Sequence, residues 1–170
     1  MIMIRPEIRE HHHDVHVVEE RAFGRKGEAD LVDRLRARGM ATISLVALDD
    51  GKVVGHVLFS PVQIEGPDGA LRVMGLGPVA VLPGRQRQGI GSRLIRAGLE
   101  EARQMGAPAV VVLGSPAYYS RFGFEPALRY GIRFQDEHVP PEDFMVIEFH
   151  RGVLEGRGGI ARYQPEFMEV

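Results

Sequence analysis

The chain contains no cysteine among its 170 residues and no long apolar run. Without cysteine there is no disulfide framework, no thiolate metal site and no cysteine nucleophile. No stretch approaches the ~20 apolar residues that a membrane-spanning helix needs. Residues 1–10 alternate apolar and charged side chains and lack the apolar centre of a signal peptide. These absences predict a soluble cytoplasmic protein with no membrane partner.

A strong net charge is also absent. The chain has 21 Lys and Arg against 23 Asp and Glu, which gives a net charge of −2 and a pI near 6.4. Binding to nucleic acid needs many basic groups on one face, and the arginines here are scattered, so we expect no nucleic-acid partner. A length of 170 residues favours one domain, 1–170. Within it, 151–170 is expected to be a C-terminal surface segment held down by Tyr163 and Phe167.

Hydrophobic periodicity predicts alternating strands and helices. Strands are expected at 2–9, 43–48, 53–64, 71–81, 109–113 and 144–149, and helices at 12–23, 28–38, 91–105 and from Pro116 to about Gly123. In the first helix Val15, Val18 and Ala22 face inward, with Glu19 turned outward. The continuous apolar run 109–113 is typical of a parallel strand covered on both faces. The predicted fold is therefore α/β (an α+β mixed sheet): an antiparallel meander followed by a βαβ unit, with helices on both faces.

A glycine-rich turn separates strand 71–81 from the helix that follows it. Gly89 and Gly91 allow an anion to approach the backbone without a Cβ in the way. Free N–H groups and the helix dipole attract negative charge at the same place. Arg85 and Arg87 add full positive charges. The pattern predicts a phosphate-binding loop.

Two well-known phosphate loops fit this turn poorly. A Walker-type loop matches at Gly84 and Gly89, but Ile90 and Gly91 stand where its lysine and its serine or threonine are required. A dinucleotide fingerprint needs a third glycine at position 94, where the chain has Leu94. An ATP-binding protein that uses Gly84 to Gly91 therefore remains only a distant alternative.

A third type of loop fits well. Residues 86–91, Gln-Arg-Gln-Gly-Ile-Gly, match Q/R-x-x-G-x-G/A and resemble the pyrophosphate loop of the GNAT superfamily of N-acetyltransferases. Residues 79–81 resemble the strand that pairs with the pantetheine arm in that family, and 119–124 resemble its Y-x-x-x-G-F segment. The segment 113–124 is similar to a group of bacterial predicted acetyltransferases. The order of elements agrees with the family over roughly residues 2–150.

The resemblance implies a GNAT-like acyl-CoA N-acyltransferase fold and acetyl-CoA as the cofactor. Amides of roughly Arg87 to Ser92 would bind the pyrophosphate, and backbone groups of two strand residues would bind the pantetheine amides. The implied cofactor-binding residues are Val79, Val81, Gln86, Arg87, Gln88, Gly89, Ile90, Gly91 and Ser92. The alternative for the glycines is that they only mark the change from strand to helix. Ser115, with Gly114 beside it, stands where many relatives carry an asparagine near the cofactor, so the chain departs from the family pattern at this contact, and an N-cap role of Ser115 is the other explanation.

Tyr119 is the candidate catalytic residue, because the family pattern brings a phenol near the cofactor sulfur at this position. A phenol can donate a proton to the departing thiolate. The alternative is that Tyr119 only packs the short helix onto the sheet, a role that suits the neighbouring Tyr118 better. No general base is identified. The candidates are Glu19, Glu20, His56, Asp136, Glu137 and His138, and His56 is more simply interpreted as a hydrogen-bonded strand histidine.

The expected activity is direct transfer of an acetyl group to a primary amine in a ternary complex, and the acceptor is a small molecule or a peptide. A non-catalytic module that binds coenzyme A is the alternative function. A homodimer is possible. His12, His16 and Glu20 have the helical spacing of a metal site, but a solvated helix start explains them more simply, and no metal is predicted.

Overall fold

The computed structural model describes residues Met1–Val170 as nine strands, four α-helices and short 3-10 turns. The strands are β1 (Ile2–Pro6), β2 (Ile43–Asp49), β3 (Lys52–Gly66), β4 (Gly69–Val81), β5 (Ala109–Leu113), β6 (Glu125–Pro126), β7 (Ile132–Phe134), β8 (Phe144–Glu148) and β9 (Gly159–Arg162). The helices are α1 (His12–Phe23), α2 (Gly27–Ala37), α3 (Ile90–Gln104) and α4 (Pro116–Tyr119). None of these helices has the length and apolarity needed to cross a membrane.

Contacts within the chain define two compact units, and each is discontinuous in sequence. The first unit contains Met1–Ser60, Gly77–Glu101 and Pro165–Val170. The second contains Pro61–Leu76 and Ala102–Gln164. Strands β3 and β4 and helix α3 each contribute residues to both units. The expected single domain over residues 1–170 stays a prediction.

In the first unit, β1, β2 and β3 are antiparallel neighbours. Successive side chains of a strand point to opposite faces, so Leu58 and Phe59 of β3 pack on different helices. Leu58 belongs to a buried cluster with residues of α1 and α2. Phe59 lies against α3, where a Cβ at Gly98 would come within 2.2 Å of the Phe59 ring. Helices therefore cover both faces of these strands, as predicted.

In the second unit, β4 runs parallel to β5, with Met74 opposite Val110 and Leu76 opposite Val112. Strand β5 is antiparallel to β8, and β8 is antiparallel to β6. The first four residues of β5 are buried, which agrees with its continuous apolar sequence. The sheet is mixed and mostly antiparallel, and β4, α3 and β5 form the predicted βαβ order.

The C-terminal segment contains a strand that the sequence did not suggest. Strand β9 pairs antiparallel with β3 and parallel with β7. Tyr163 is buried, with its ring 5.2 Å from that of Phe134, and Phe167 packs on the cluster of the first unit. These contacts agree with the expected role of Tyr163 and Phe167 in holding the segment, and the surface segment 151–170 itself stays a prediction. No local pattern marks β9, because the strand is short and its partner β3 lies about a hundred residues away in sequence.

Candidate active site

The predicted phosphate loop leads from the end of β4 into α3. Arg87 and Gly89 both have left-handed backbone conformations, with φ of +62° and +82°. A Cβ at Gly89 would meet nothing within 4 Å, so the glycine is favoured there by its conformation and not by crowding. Such a conformation is unfavourable for a non-glycine residue like Arg87. The turn therefore has a specific shape at the residues that the motif names.

The start of α3 supplies backbone donors to this loop. Its first intrahelical bond runs from the Arg93 N–H to the Gly89 carbonyl at 3.1 Å. The amides that precede Arg93 at the helix start have no intrahelical acceptor, as at any helix N-terminus. Ile90 and Leu94 fix this end of the helix, because both are buried and both would lie within 3.2 Å of a Cβ at Gly55. The helix start is therefore firmly held with its N–H groups available.

Gln86 links the loop to the strand before it. Its Nε2 donates to the Val81 carbonyl at 3.0 Å. Val79 and Val81 are half-buried, whereas Ala80 between them is part of the buried cluster. The Leu82 N–H donates to the carbonyl of Val54 at 2.9 Å and holds this end of β4 against β3. The side chain of Gln86 thus shapes the loop, and the Val81 carbonyl keeps one lone pair for another donor.

The two arginines of the loop differ in their surroundings. Arg85 Nη1 lies 2.8 Å from Asp49 Oδ2, and this hydrogen bond is the main reason why the pKa of Asp49 is lowered. Arg87 and Gln88 are exposed. The positive charge of Arg85 is therefore partly neutralised by Asp49, and Arg87 is the cation of the loop that is better placed to meet a phosphate.

Tyr119 lies at the end of α4 in the second unit. The Ser115 carbonyl accepts hydrogen bonds from the N–H groups of Tyr118 and Tyr119 at 3.1 and 3.0 Å. Helix α4 begins at Pro116, as predicted. The Ser115 hydroxyl makes no capping hydrogen bond to the first turn of the helix. Pro116 at the first helical position favours this start.

The ring of Tyr119 is half-buried in a group of aromatic side chains. It makes edge-to-face contacts with Tyr118 and Phe124, at centroid distances of 5.0 and 5.8 Å. Burial raises the pKa of Tyr119 to about 12, and the neighbouring Tyr118 adds to the shift, because a phenolate is poorly solvated there. The hydroxyl consequently stays protonated at neutral pH and is a hydrogen donor.

Two of the candidate bases, Glu19 and His56, form a buried pair in the first unit. Both are fully buried, and His56 Nδ1 lies 2.6 Å from Glu19 Oε2. Burial raises the pKa of Glu19, although the hydrogen bond from His56 opposes the shift. The outward orientation expected for Glu19 is therefore wrong. Its position four residues after Val15, on the apolar face of α1, is the signal that could have revealed this.

The pair extends into a longer polar network. His56 Nε2 lies 2.8 Å from Ser44 Oγ, so Ser44, His56 and Glu19 have the spacing of a nucleophile, base and acid. Ser44 also contributes a hydrogen bond that lowers the pKa of Glu7. Ser44 therefore connects the Glu19–His56 pair to Glu7.

The remaining candidate bases lie in partly or fully exposed positions. Asp136 Oδ1 is 3.0 Å from His138 Nδ1, and hydrogen bonds from His138 lower the pKa of Asp136. Glu137 is exposed. Glu20 Oε2 lies 3.9 Å from His16 Nε2. None of these contacts distinguishes one carboxylate as the base.

The N-terminal histidines have separate partners. His16 Nδ1 lies 2.7 Å from Asp33 Oδ2, and Asp30 is close enough for the three side chains to approach one point. His12 lies instead 3.8 Å from Glu7. His12 and His16, which have helical spacing, thus contact different acids: Glu7 for His12 and Asp33 for His16.

Comparison with known proteins places the chain in a family. Residues 3–127 match the model of the acetyltransferase (GNAT) domain. The uncharacterized N-acetyltransferase YhbS of Escherichia coli K12 is 38% identical over 167 residues, which cover 98% of each chain. The chain belongs to the GNAT family of acetyltransferases. A second relative from the same strain, the uncharacterized N-acetyltransferase YjhQ, is 46% identical over 115 residues, 66% of this chain and 64% of that protein.

Solved structures of GNAT proteins agree with this fold. The crystal structure of E. coli YhbS in complex with CoA has a TM-score of 0.92 at 36% identity, and the match covers 98% of this chain and 92% of that one. A GNAT family acetyltransferase from Brucella melitensis in complex with acetyl-CoA has a TM-score of 0.81 at 37% identity, with 98% of each chain covered. The predicted family, fold and enzyme class are confirmed, and the roles of individual residues stay predictions.

Proposed function

We propose that this chain transfers an acetyl group from acetyl-CoA to a primary amine, by direct transfer in a ternary complex. The main support is the loop of residues 86–92, where left-handed backbone turns precede a helix N-terminus with free amides. Support also comes from two similar GNAT proteins that were crystallised with CoA and acetyl-CoA.

In this proposal the amides of Arg87 to Ser92 bind the pyrophosphate of the cofactor. The Arg87 side chain adds a charge-assisted contact because it is exposed, whereas Arg85 is engaged by Asp49. Backbone groups of Val79 and Val81 pair with the pantetheine amides, which resemble a strand and can extend one. Gln86 keeps the loop in shape through the Val81 carbonyl.

The chemical step joins the amine nitrogen to the thioester carbonyl and breaks the carbon–sulfur bond. Tyr119 donates its phenolic proton to the departing sulfur and regains one from solvent. A pKa of about 12 keeps Tyr119 protonated before the reaction. A free thiol has a pKa of about 8.5, so proton transfer from Tyr119 to the sulfur is favoured only where the surroundings of the sulfur disfavour a thiolate, as burial disfavours the phenolate. Such general-acid assistance contributes about 10²–10⁴ in rate.

A covalent acetyl-enzyme is not part of the proposal. The chain has no cysteine, and the histidine beside Ser44, His56, is fully buried together with Glu19 in the interior of the first unit. Most of the rate enhancement is expected from holding the amine and the thioester together. The amine, a small molecule or a peptide, loses its proton to a base or to water before it attacks.

Thiol release from acetyl-CoA, measured with a panel of primary amines, tests the proposal. Tyr119→Phe should lower turnover by about 10²-fold or more with little change in acetyl-CoA affinity. Tyr118→Phe is the matched control and should stay close to the parent protein. Unchanged turnover in Tyr119→Phe would remove Tyr119 from the mechanism. Acetyl-CoA binding without thiol release for any amine would favour a binding module.

A further inference from the structure

Gly114 follows strand β5 directly, and its missing side chain leaves space that the ring of Tyr119 fills. A Cβ at position 114 would lie 2.2 Å from Cε2 and 2.7 Å from Cδ2 of Tyr119. Both distances are far below the 3.4–4 Å of ordinary van der Waals contact. Any residue other than glycine would therefore overlap with the ring as it now lies.

The backbone at Gly114 is held and has little freedom to move away. The Gly114 N–H donates to the carbonyl of Asp143 at 2.8 Å. The preceding residue, Leu113, pairs with Phe144 in the ladder between β5 and β8. A Cβ at position 114 would therefore displace the ring of Tyr119 more readily than the backbone of residue 114.

The ring of Tyr119 is confined on its other sides by aromatic neighbours. Tyr118 and Phe124 contact it edge to face, and Phe122 lies at a centroid distance of 6.1 Å. A ring displaced from Gly114 by about 1 Å cannot stay in the same contacts, since closely packed aromatic groups resist such shifts. The phenolic hydroxyl at the end of the ring would move with it.

We infer that Gly114 is a positioning residue for Tyr119: its lack of a side chain sets the place of the phenol ring and of the hydroxyl it carries. The inference rests on the proposed function in one respect only, that the Tyr119 hydroxyl serves the leaving sulfur.

Four proteins test the inference: the parent protein, Gly114→Ala, Tyr119→Phe and the double variant. A misplacement of about 1 Å costs on the order of 10²-fold in rate, so Gly114→Ala should lower kcat by about 10–100-fold with an unchanged acetyl-CoA Kd. In the Tyr119→Phe background the same alanine should change kcat less than about twofold, because no hydroxyl is left to misplace. The exposed Ser120→Ala, which leaves all ring contacts intact, is the control.

A spectroscopic readout keeps the test independent of turnover. The ionisation of Tyr119 is followed by its absorbance near 295 nm, taken as the difference between each protein and its Tyr119→Phe counterpart. Gly114→Ala should bring this ionisation to lower pH, because the displaced ring is less buried, and circular dichroism at each pH verifies folding. An unchanged titration together with unchanged kcat in Gly114→Ala would overturn the inference. Unchanged turnover in Tyr119→Phe with a shifted titration would instead remove the proposed acid and leave the positioning intact.

Discussion

Glu19 Oε2 and His56 Nδ1 lie 2.6 Å apart, and both side chains are fully buried. The contact joins α1 to β3 across 37 residues of sequence. The second carboxylate oxygen, Glu19 Oε1, is buried without a hydrogen-bond partner. His56 is therefore the group that compensates the burial of this acid, and the pair is a strong constraint on how α1 packs.

Replacing His56 with leucine should destabilise the protein by about 1–3 kcal/mol, the usual cost of leaving a buried polar group without its hydrogen-bond partner. Glu19 would then face an apolar side chain. The added change Glu19→Leu should recover most of the loss, because replacing both partners of a buried hydrogen bond by apolar groups of similar shape is close to neutral. Urea unfolding of both variants gives the two free energies. Equal stability of the single and double variants would show that Glu19 does not depend on His56.

Glu7 should make the free energy of unfolding sensitive to acid. Burial alone would raise its pKa, but the hydrogen bond and charge of Arg36, together with His56 and Ser44, lower it below its usual value of 4.5. A lowered folded-state pKa contributes stability above pH 4.5 that is lost as the pH falls through the folded value. Glu7→Gln should therefore lower stability at pH 7 and flatten the decline below pH 4.5. If the free energy of unfolding of Glu7→Gln, measured with urea, fell below pH 4.5 as steeply as that of the parent protein, this assignment would be refuted.

Gly98 and Gly84 provide a matched pair of glycines. A Cβ at Gly98 would lie 2.2 Å from the buried ring of Phe59, whereas a Cβ at Gly84 would meet nothing within 4 Å. Gly98→Ala should cost about 1–3 kcal/mol through overpacking, despite the better helix propensity of alanine. Gly84→Ala should change stability by less than about 0.5 kcal/mol. Thermal unfolding compares them, and a stabilised Gly98→Ala would contradict the packing of Phe59 against α3.

The two loop arginines should behave differently when each is replaced by alanine. Arg87→Ala should weaken acetyl-CoA binding by about 10–100-fold, in line with the 1.5–3 kcal/mol of a hydrogen bond to a charged group. Arg85→Ala should have a smaller effect on affinity, because its guanidinium is engaged by Asp49. Isothermal titration at low and moderate salt measures both. A larger loss of acetyl-CoA affinity in Arg85→Ala than in Arg87→Ala would mean that Arg85 leaves Asp49 and contacts the cofactor.

The sequence predicts well those features that depend on neighbouring residues. Strand β5 begins and ends where its apolar run does, and α3 starts within one residue of its predicted position. The turn before α3 is recognisable because glycines and a helix start follow each other along the chain. A βαβ unit is marked by such local signals.

Features that depend on distant residues were missed. Strand β9 has four residues, and only its pairing with β3 and β7 makes it a strand. Glu19 was expected to face solvent, and the hydrogen bond with His56 explains why it is buried instead. The role of Gly114 likewise appears only when the ring of Tyr119 is seen in the space a side chain would take. Packing between distant residues decides all three, and only for Glu19 does the local sequence carry a signal, its position on the apolar face of α1.

Thermal unfolding of the purified protein alone, with acetyl-CoA and with Mg-ATP tests the central claim most directly. A ligand at 100 times its Kd stabilises the folded state by about 2.7 kcal/mol, which for a chain of this size is a Tm rise of about 5–11 °C. The account predicts that rise with acetyl-CoA and none with Mg-ATP, and a clearly smaller rise for Arg87→Ala at the same acetyl-CoA concentration. A rise with Mg-ATP alone, or with neither ligand, would contradict the assignment of the loop to acetyl-CoA.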